Sequence, residues 1–326
     1  MTAHLPESQE VDFTVTRWFS APADLLWLAW TDPQHLTKWF GPRGFSLTTD
    51  HLHLKEGGTW KFIMHGPDGT DFPNYVVFTN IVPGKLLEYI HGDDSFENGT
   101  DPGMRVSVRF EAERNGTRVT IRTIVKNAEE RERLIREYGA DEGGLDTMYR
   151  LGAVVHELGA PEQRSVVVLT RRDNEIVLRR TLPFAPEQVF AAWVDPATWP
   201  HWLAAEHLTL VDSFMDLRIG GSFTMVHARA NGQTMSMRAE FLDVQEPSLL
   251  KAWQYFEMPG IPPIKHLVDI TFLPIDLESS TGNVLGTNVT ISETFESQSV
   301  RDSWYEADRD LGMKEAFEKL EAWLNG

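Results

Sequence analysis

Three groups of residues have types and spacing suited to chemistry, and each has a plainer reading beside it. Asp50-His51-Leu52-His53 sets two imidazoles at i and i+2 of a predicted strand, a spacing that can hold a metal ion. No Cys and no third ligand falls beside them, and the matching region of the second half, around Leu210, Asp212 and Ser213, has no His pair. They therefore read as surface side chains. His91 and His227 stand alone on predicted strands, where an imidazole could move a proton inside a cavity but is more often a hydrogen-bonded passenger. The third group is a set of aromatic, Met and His side chains at every second strand position: Trp60, Phe62 and Met64, and later Phe223, Met225 and His227. Most of these read as core beneath a covering helix, and some as the wall of a cavity, because core and wall share one face. There is no Gly-x-Ser-x-Gly elbow, and Gly57-Gly58 and Gly220-Gly221 lack the spacing and the Lys of a phosphate loop. The chain has no Cys, which excludes thiol nucleophiles, thiolate metal sites and disulfides together. No catalytic residue, metal or cofactor is expected.

Charge narrows the partners. The formal net charge of −18 opposes binding to phosphate backbones and anionic lipid surfaces, so neither nucleic acid nor membrane is expected as a partner. No apolar run approaches the ~18 residues of a membrane helix. Met1 to Glu10 lacks the basic-then-apolar pattern of an export signal. The expected location is the cytoplasm.

The elements that position these residues occur twice. Ala21-Pro22 through Trp30-Thr31-Asp32-Pro33 to Trp39 is matched by Ala185-Pro186 through Trp193-Val194-Asp195-Pro196 to Trp202. Trp39 and Trp202 lie 163 residues apart, and Gly57-Gly58-Thr59-Trp60 meets Gly220-Gly221-Ser222-Phe223 at the same offset. Insertions after about position 90 widen it to 170, where Gly116-Thr117 meets Gly286-Thr287. A fixed offset sustained over this length is an internal duplication. It gives two related domains, 10–159 and 166–326.

Within each domain the periods change in the same order. Phe13 to Phe19 alternates as a strand, Pro22 opens a helix with Leu25, Leu26, Ala29 and Trp30 on one face, and Asp32-Pro33 starts a second short helix. Six strands follow, separated by Pro67-Asp68-Gly69, Pro83-Gly84 and other turn signals, and then a helix carrying Met148, Tyr149, Val155 and Leu158. The second half repeats this, with Val166 to Leu182 turning at Asp173-Asn174. It ends in one helix from about Ser303 to Leu324. The fold class is α+β: in each domain a curved antiparallel sheet grips a long C-terminal helix and leaves an apolar hollow between them.

The Ala-Pro helix start, the Trp-x-Asp-Pro corner, the following Trp, the Gly-Gly-x-aromatic strand and the Asp/Asn-Gly hairpin together resemble the START-like (SRPBCC) superfamily. Within it the chain is most similar to the family named for the C-terminal domain of the activator of the heat-shock-protein-90 ATPase. The resemblance implies a helix-grip fold with a cavity for a small hydrophobic or aromatic ligand. The eukaryotic co-chaperone adds a domain with an Asn-Asn-Trp-His-Trp motif, which does not occur in this sequence.

On that footing the candidate ligand-binding residues are Trp60, Phe62, Met64 and His91 in the first domain and Phe223, Met225, His227, Trp253, Met258 and Ile261 in the second. The loop between the fifth and sixth strands, near the cavity mouth in this fold, is acidic in the first domain (Gly92 to Asp101) and apolar in the second (Met258, Ile261). The second domain is therefore expected to be the better binder of apolar ligands. The leading expectation is a cytoplasmic binding protein for small hydrophobic molecules. The alternatives are a protein-interaction or co-chaperone-type module without ligand, with a protein as partner, and an enzyme running acid–base chemistry in the cavity.

Overall fold

A computed structural model describes residues 10–41, 44–113, 116–138, 142–161, 167–203, 208–257, 262–279, 282–305 and 309–326. Met258 and Ile261 lie outside these residues. The chain divides into two compact units, 1–164 and 165–326.

In the first unit the order is β1 (Val11–Phe19), α1 (Ala23–Thr31), α2 (Pro33–Trp39), β2 (Ser46–Leu52), β3 (Thr59–His65), β4 (Asp71–Val82) and β5 (Leu86–Gly92). It continues with α3 (Asp94–Glu97), β6 (Met104–Glu113), β7 (Gly116–Val125), α4 (Ala128–Tyr138) and α5 (Glu142–Glu157). Each strand from β2 to β7 pairs antiparallel with the next, and β1 returns to pair with β7. The alternation of apolar side chains fixes which face is covered. Phe13, Val15 and Phe19 of β1, Leu87 and Tyr89 of β5, and Val106, Val108 and Phe110 of β6 are buried on one side. Against that side lie Met148, Leu151, Val154 and Val155 of α5, all buried, spaced as the apolar stripe of a helix requires.

In the second unit β8 (Val167–Arg172) and β9 (Glu175–Leu182) form the hairpin turning at Asp173-Asn174, where Asp173 takes a positive φ of 44° suited to a two-residue hairpin turn. Then come α6 (Pro186–Val194), α7 (Trp199–Trp202), β10 (Leu208–Met215), β11 (Ser222–Arg229), β12 (Thr234–Gln245), β13 (Leu249–Glu257), β14 (Ile264–Ser279) and β15 (Gly282–Phe295). The sheet order is β10-β11-β12-β13-β14-β15-β9-β8. The helix expected from about Ser303 begins earlier: the described residues form α8 (Gln298–Tyr305) and α9 (Arg309–Asn325), matching α4 and α5. The β14–β15 hairpin runs to Ser279 and Gly282 while β13 pairs with β14 only as far as Thr271, so the hairpin overshoots its neighbour. That overshoot holds the insertion that widens the repeat offset.

The repeated corner has a physical reason. The Asp32 carboxylate accepts from the Gln34 amide at 2.8 Å and so caps α2, while Asp195 accepts from the Ala197 amide at 2.9 Å in the turn that leads to α7, whose N-cap is Thr198. The Trp ahead of each Asp packs on the Trp after it, at 4.6 Å for Trp30 and Trp39 and 5.1 Å for Trp193 and Trp202. Trp39 and Trp202 are fully buried, each worth roughly 3 kcal/mol or more of apolar burial. The second glycine of each Gly-Gly pair is held by close approach: a Cβ on Gly58 would stand 2.1 Å from the His53 carbonyl, and one on Gly221 2.2 Å from that of Asp216.

Candidate functional site

The helix-covered face of the first unit ends in a group of rings around one imidazole. His91 lies at the end of β5, with Phe62 at 6.0 Å, Phe40 at 6.4 Å and Tyr89 at 6.4 Å between ring centres. Phe40 also meets Trp60 at 5.0 Å and Phe62 at 5.6 Å, so the rings form one wall. His91 shares a 2.8 Å hydrogen bond with Asn74 of β4, and Asn74 Nδ2 donates to the Phe72 carbonyl at 2.7 Å. A carbonyl can only accept, so the amide orientation is fixed. Asn74 Oδ1 must accept, and His91 Nε2 carries the proton. That leaves Nδ1 as a lone-pair acceptor with no bond among the described residues.

Desolvation sets the charge here. It lowers the His91 pKa from 6.5 to about 4, with the Asp93 carboxylate opposing weakly, so the imidazole is neutral at pH 7. His91 nevertheless keeps part of its surface accessible. Burial also raises the Tyr89 pKa, and its hydroxyl makes no hydrogen bond among the described residues.

The second unit builds a different end on the same register. Gln254 of β13 stands where His91 stands, Met237 where Asn74 stands, and His266 of β14 beside it, opposite the position of Met104. His266 is fully buried, with Nε2 at 3.0 Å from Gln254 Oε1 and 3.2 Å from Glu293 Oε1. Around it close Phe295 at 4.9 Å, stacked, and Trp304 of α8 at 5.2 Å, with Phe256 packed on Trp304 at 4.9 Å. An imidazole held by a carboxylate is the arrangement a general base needs. Here it is fully buried, with the rings of Phe295 and Trp304 against it.

Most of the residues expected to bind a ligand share the covered face. Trp60 and Phe62 are stacked at 4.0 Å and buried, and Met64 continues their row, half-buried. Met225 is buried in the second core with Phe223 packed against it. His227 is half-buried, its pKa lowered by desolvation and its Nε2 buried without a partner among the described residues. Trp253 takes the other face: it neighbours the inward Gln254, so the period of two turns it outward, where the Lys265 ammonium sits 4.2 Å over its ring. The His pair at 51 and 53 is a surface feature, with His51 bonded to Asp50 at 3.1 Å and Thr59 at 2.9 Å. No group of three or more metal-ligating side chains occurs among the described residues.

Sequence reasoning missed Phe40, Asn74 and Tyr89 in the first unit and Gln254, His266, Glu293 and Trp304 in the second. It also missed a repeated arginine. Arg17 and Arg180, 163 residues apart and each 1% exposed, point from β1 and β9 into the covered face. Arg17 donates to the Met148 carbonyl, and Arg180 to Glu321 of α9 at 2.5 Å. The signal was a charged side chain on an apolar alternation, Phe13-Val15-Arg17-Phe19 and Ile176-Leu178-Arg180-Leu182, in both copies.

Two tandem α+β domains of this element order define a START-like class of protein. The family described as activator of Hsp90 ATPase homolog 1-like protein matches residues 20–156 and again 183–325, and the chain belongs to that family in both halves. Among solved structures, a Mycobacterium smegmatis protein is 25% identical over 45% of this chain and 92% of its own, with a TM-score of 0.41. A protein from Arthrobacter aurescens is 27% identical over 46% and 88%, with a TM-score of 0.39. The AHSA1-like protein from Aeromonas hydrophila is 22% identical over 45% and 92%, with a TM-score of 0.34. No curated protein matches the chain. No helix among the described residues is long and apolar enough to cross a membrane.

Proposed function

We propose that the chain is a binding protein for small hydrophobic or aromatic molecules, held in a helix-grip domain between the sheet and its covering helices. The observation that carries this is His91: a neutral, desolvated, partly accessible imidazole set among Phe40, Phe62 and Tyr89. Binding would draw on burial of ligand surface, worth ~25 cal/mol per Å², with His91 Nδ1 and the Tyr89 hydroxyl fixing orientation. Absence of Cys fits a reducing cytoplasm as the place of work. Solvent extraction of the purified protein followed by mass spectrometry tests the reading. A co-purifying aromatic or apolar small molecule, displaced by an added hydrophobic probe, supports it; a chain that yields none and binds no such probe overturns it.

A second reading, a module for a protein partner, draws on the exposed apolar side chains of β10 and the turn beyond it. Val211 and Phe214 are each 55% exposed and Ile219 is 64% exposed, on a strand at the edge of the second sheet. The enzymatic reading ranks below both, since the accessible His91 is oriented by an amide and the carboxylate-paired His266 is enclosed.

A further inference from the structure

We infer that the two domains divide the work, in the reverse order to that expected from Met258 and Ile261: the first holds an uncharged aromatic ligand, and the second carries its own substitute for that ligand, the indole of Trp304. The inference rests on the binding function proposed above and names the ligand class and the domain that uses it.

The correspondence comes from equivalent helix starts. The Asn127 side chain accepts from the Glu130 amide at 2.8 Å, as the Ser297 hydroxyl accepts from Val300 at 3.3 Å. The Asn127 and Ser297 carbonyls accept from the amides of Arg131 and Arg301, both buried. At that constant offset of 170, Leu134 of α4 takes the place of Trp304 of α8, and α4 packs on β1 and β7 as α8 does on β9 and β15. In the second domain the indole lies over His266, Phe256 and Phe295. In the first domain the same place has Leu134 for Trp304, Val125 for Phe295 and Thr123 for Glu293. Three larger side chains of the second domain stand where the first has three smaller ones, at one end of one face, so the first domain places less side-chain volume there.

The lining states what that is. A flat ring is the shape the second domain supplies for itself. The accompanying polar groups are an acceptor, His91 Nδ1, and a hydroxyl with no bond of its own, Tyr89, which together suit a ring bearing one hydroxyl. An anionic ligand is disfavoured, because it would lose its hydration in this ring-lined end beside His91, where the Asp93 carboxylate already acts.

The test is isothermal titration of the full chain with 2-naphthol, with 2-naphthoate as the charged comparator. Far-UV circular dichroism and thermal melts confirm that each variant folds. The wild type is expected to bind 2-naphthol at one site and 2-naphthoate at least about tenfold more weakly. Leu134→Trp is expected to remove that site, and Trp304→Leu to add a second one. Two sites in the wild type, a single site that survives in a folded Leu134→Trp, or a folded Trp304→Leu with no added site would overturn the inference while leaving the binding function standing. Absence of binding by the wild type and by Trp304→Leu alike removes both. Should Leu134→Trp fail to fold, the site count of Trp304→Leu decides.

Discussion

Arg180, buried at the middle of β9, reaches Glu321 of α9 at 2.5 Å and so ties the last helix to the sheet with a charge-assisted bond. Arg17 makes the equivalent tie in the first domain through the main chain of Met148 in α5. Two copies of one fold thus keep a buried arginine but answer it differently, one with a carboxylate and one with a carbonyl.

Breaking such a pair costs more than removing it whole. Glu321→Met is expected to destabilise the second domain by at least about 2 kcal/mol, and Arg180→Met combined with it to recover most of that loss. Urea unfolding of the single and double variants reads this directly. A double variant as unstable as Glu321→Met would show that the pair is not the unit.

Gly152 of α5 predicts a reversal of helix propensity. In a helix interior Ala is favoured over Gly by about 1 kcal/mol. Here a Cβ would meet Arg17 Nη1 and Nη2 at 2.8 Å each, and the guanidinium is confined by its bond to Met148. Gly152→Ala is therefore expected to lower stability by about 1–2 kcal/mol, the cost of overpacking. Adding Arg17→Met should relieve the clash. A Gly152→Ala chain more stable than wild type in urea contradicts the packing described.

The depressed pKa of His91 gives the first domain a pH dependence. The folded state holds a neutral imidazole down to about pH 4, while the unfolded chain takes up a proton near 6.5, so the unfolded state binds more protons between the two values. Stability contributed by the neutral ring is complete above pH 6.5 and is lost as pH falls towards 4, by up to about 3 kcal/mol. His91→Gln, which installs the residue found at the matching position of the second domain, should flatten that dependence. Thermal melts from pH 4 to 7 that are equally steep in the wild type and the variant would exclude His91 as the source.

Much of this architecture was legible from repeats and alternation, because both follow from which side chains must be buried. The Trp-x-Asp-Pro corners, the strand order and the hairpin at Asp173-Asn174 all have local causes. The start of α8 at Gln298, ahead of the expected Ser303, was not legible from the apolar period of Met313, Ala316, Phe317 and Leu320. The candidate site was half legible. Period two placed Trp60, Phe62 and His91 on one face, and the same period argues against Trp253, which stands one residue from the inward Gln254. Residues that build the site across strands, such as Asn74 against His91 or Glu293 against His266, follow from pairing register, which a single strand does not reveal. Arg17, Arg180 and His266 were visible as polar breaks in apolar alternation, a signal that marks buried polar work more directly than the aromatics do.

The proposed function requires an interior space beside His91 that a small aromatic molecule can enter. Histidine-ring nuclear magnetic resonance of the full chain, with His91 assigned through His91→Gln and His266 through His266→Gln, measures this as 2-naphthol is added. The His91 ring resonances are expected to shift in proportion to occupancy while those of His266 stay in place. Saturation with 2-naphthol that leaves the His91 ring unmoved would contradict the account.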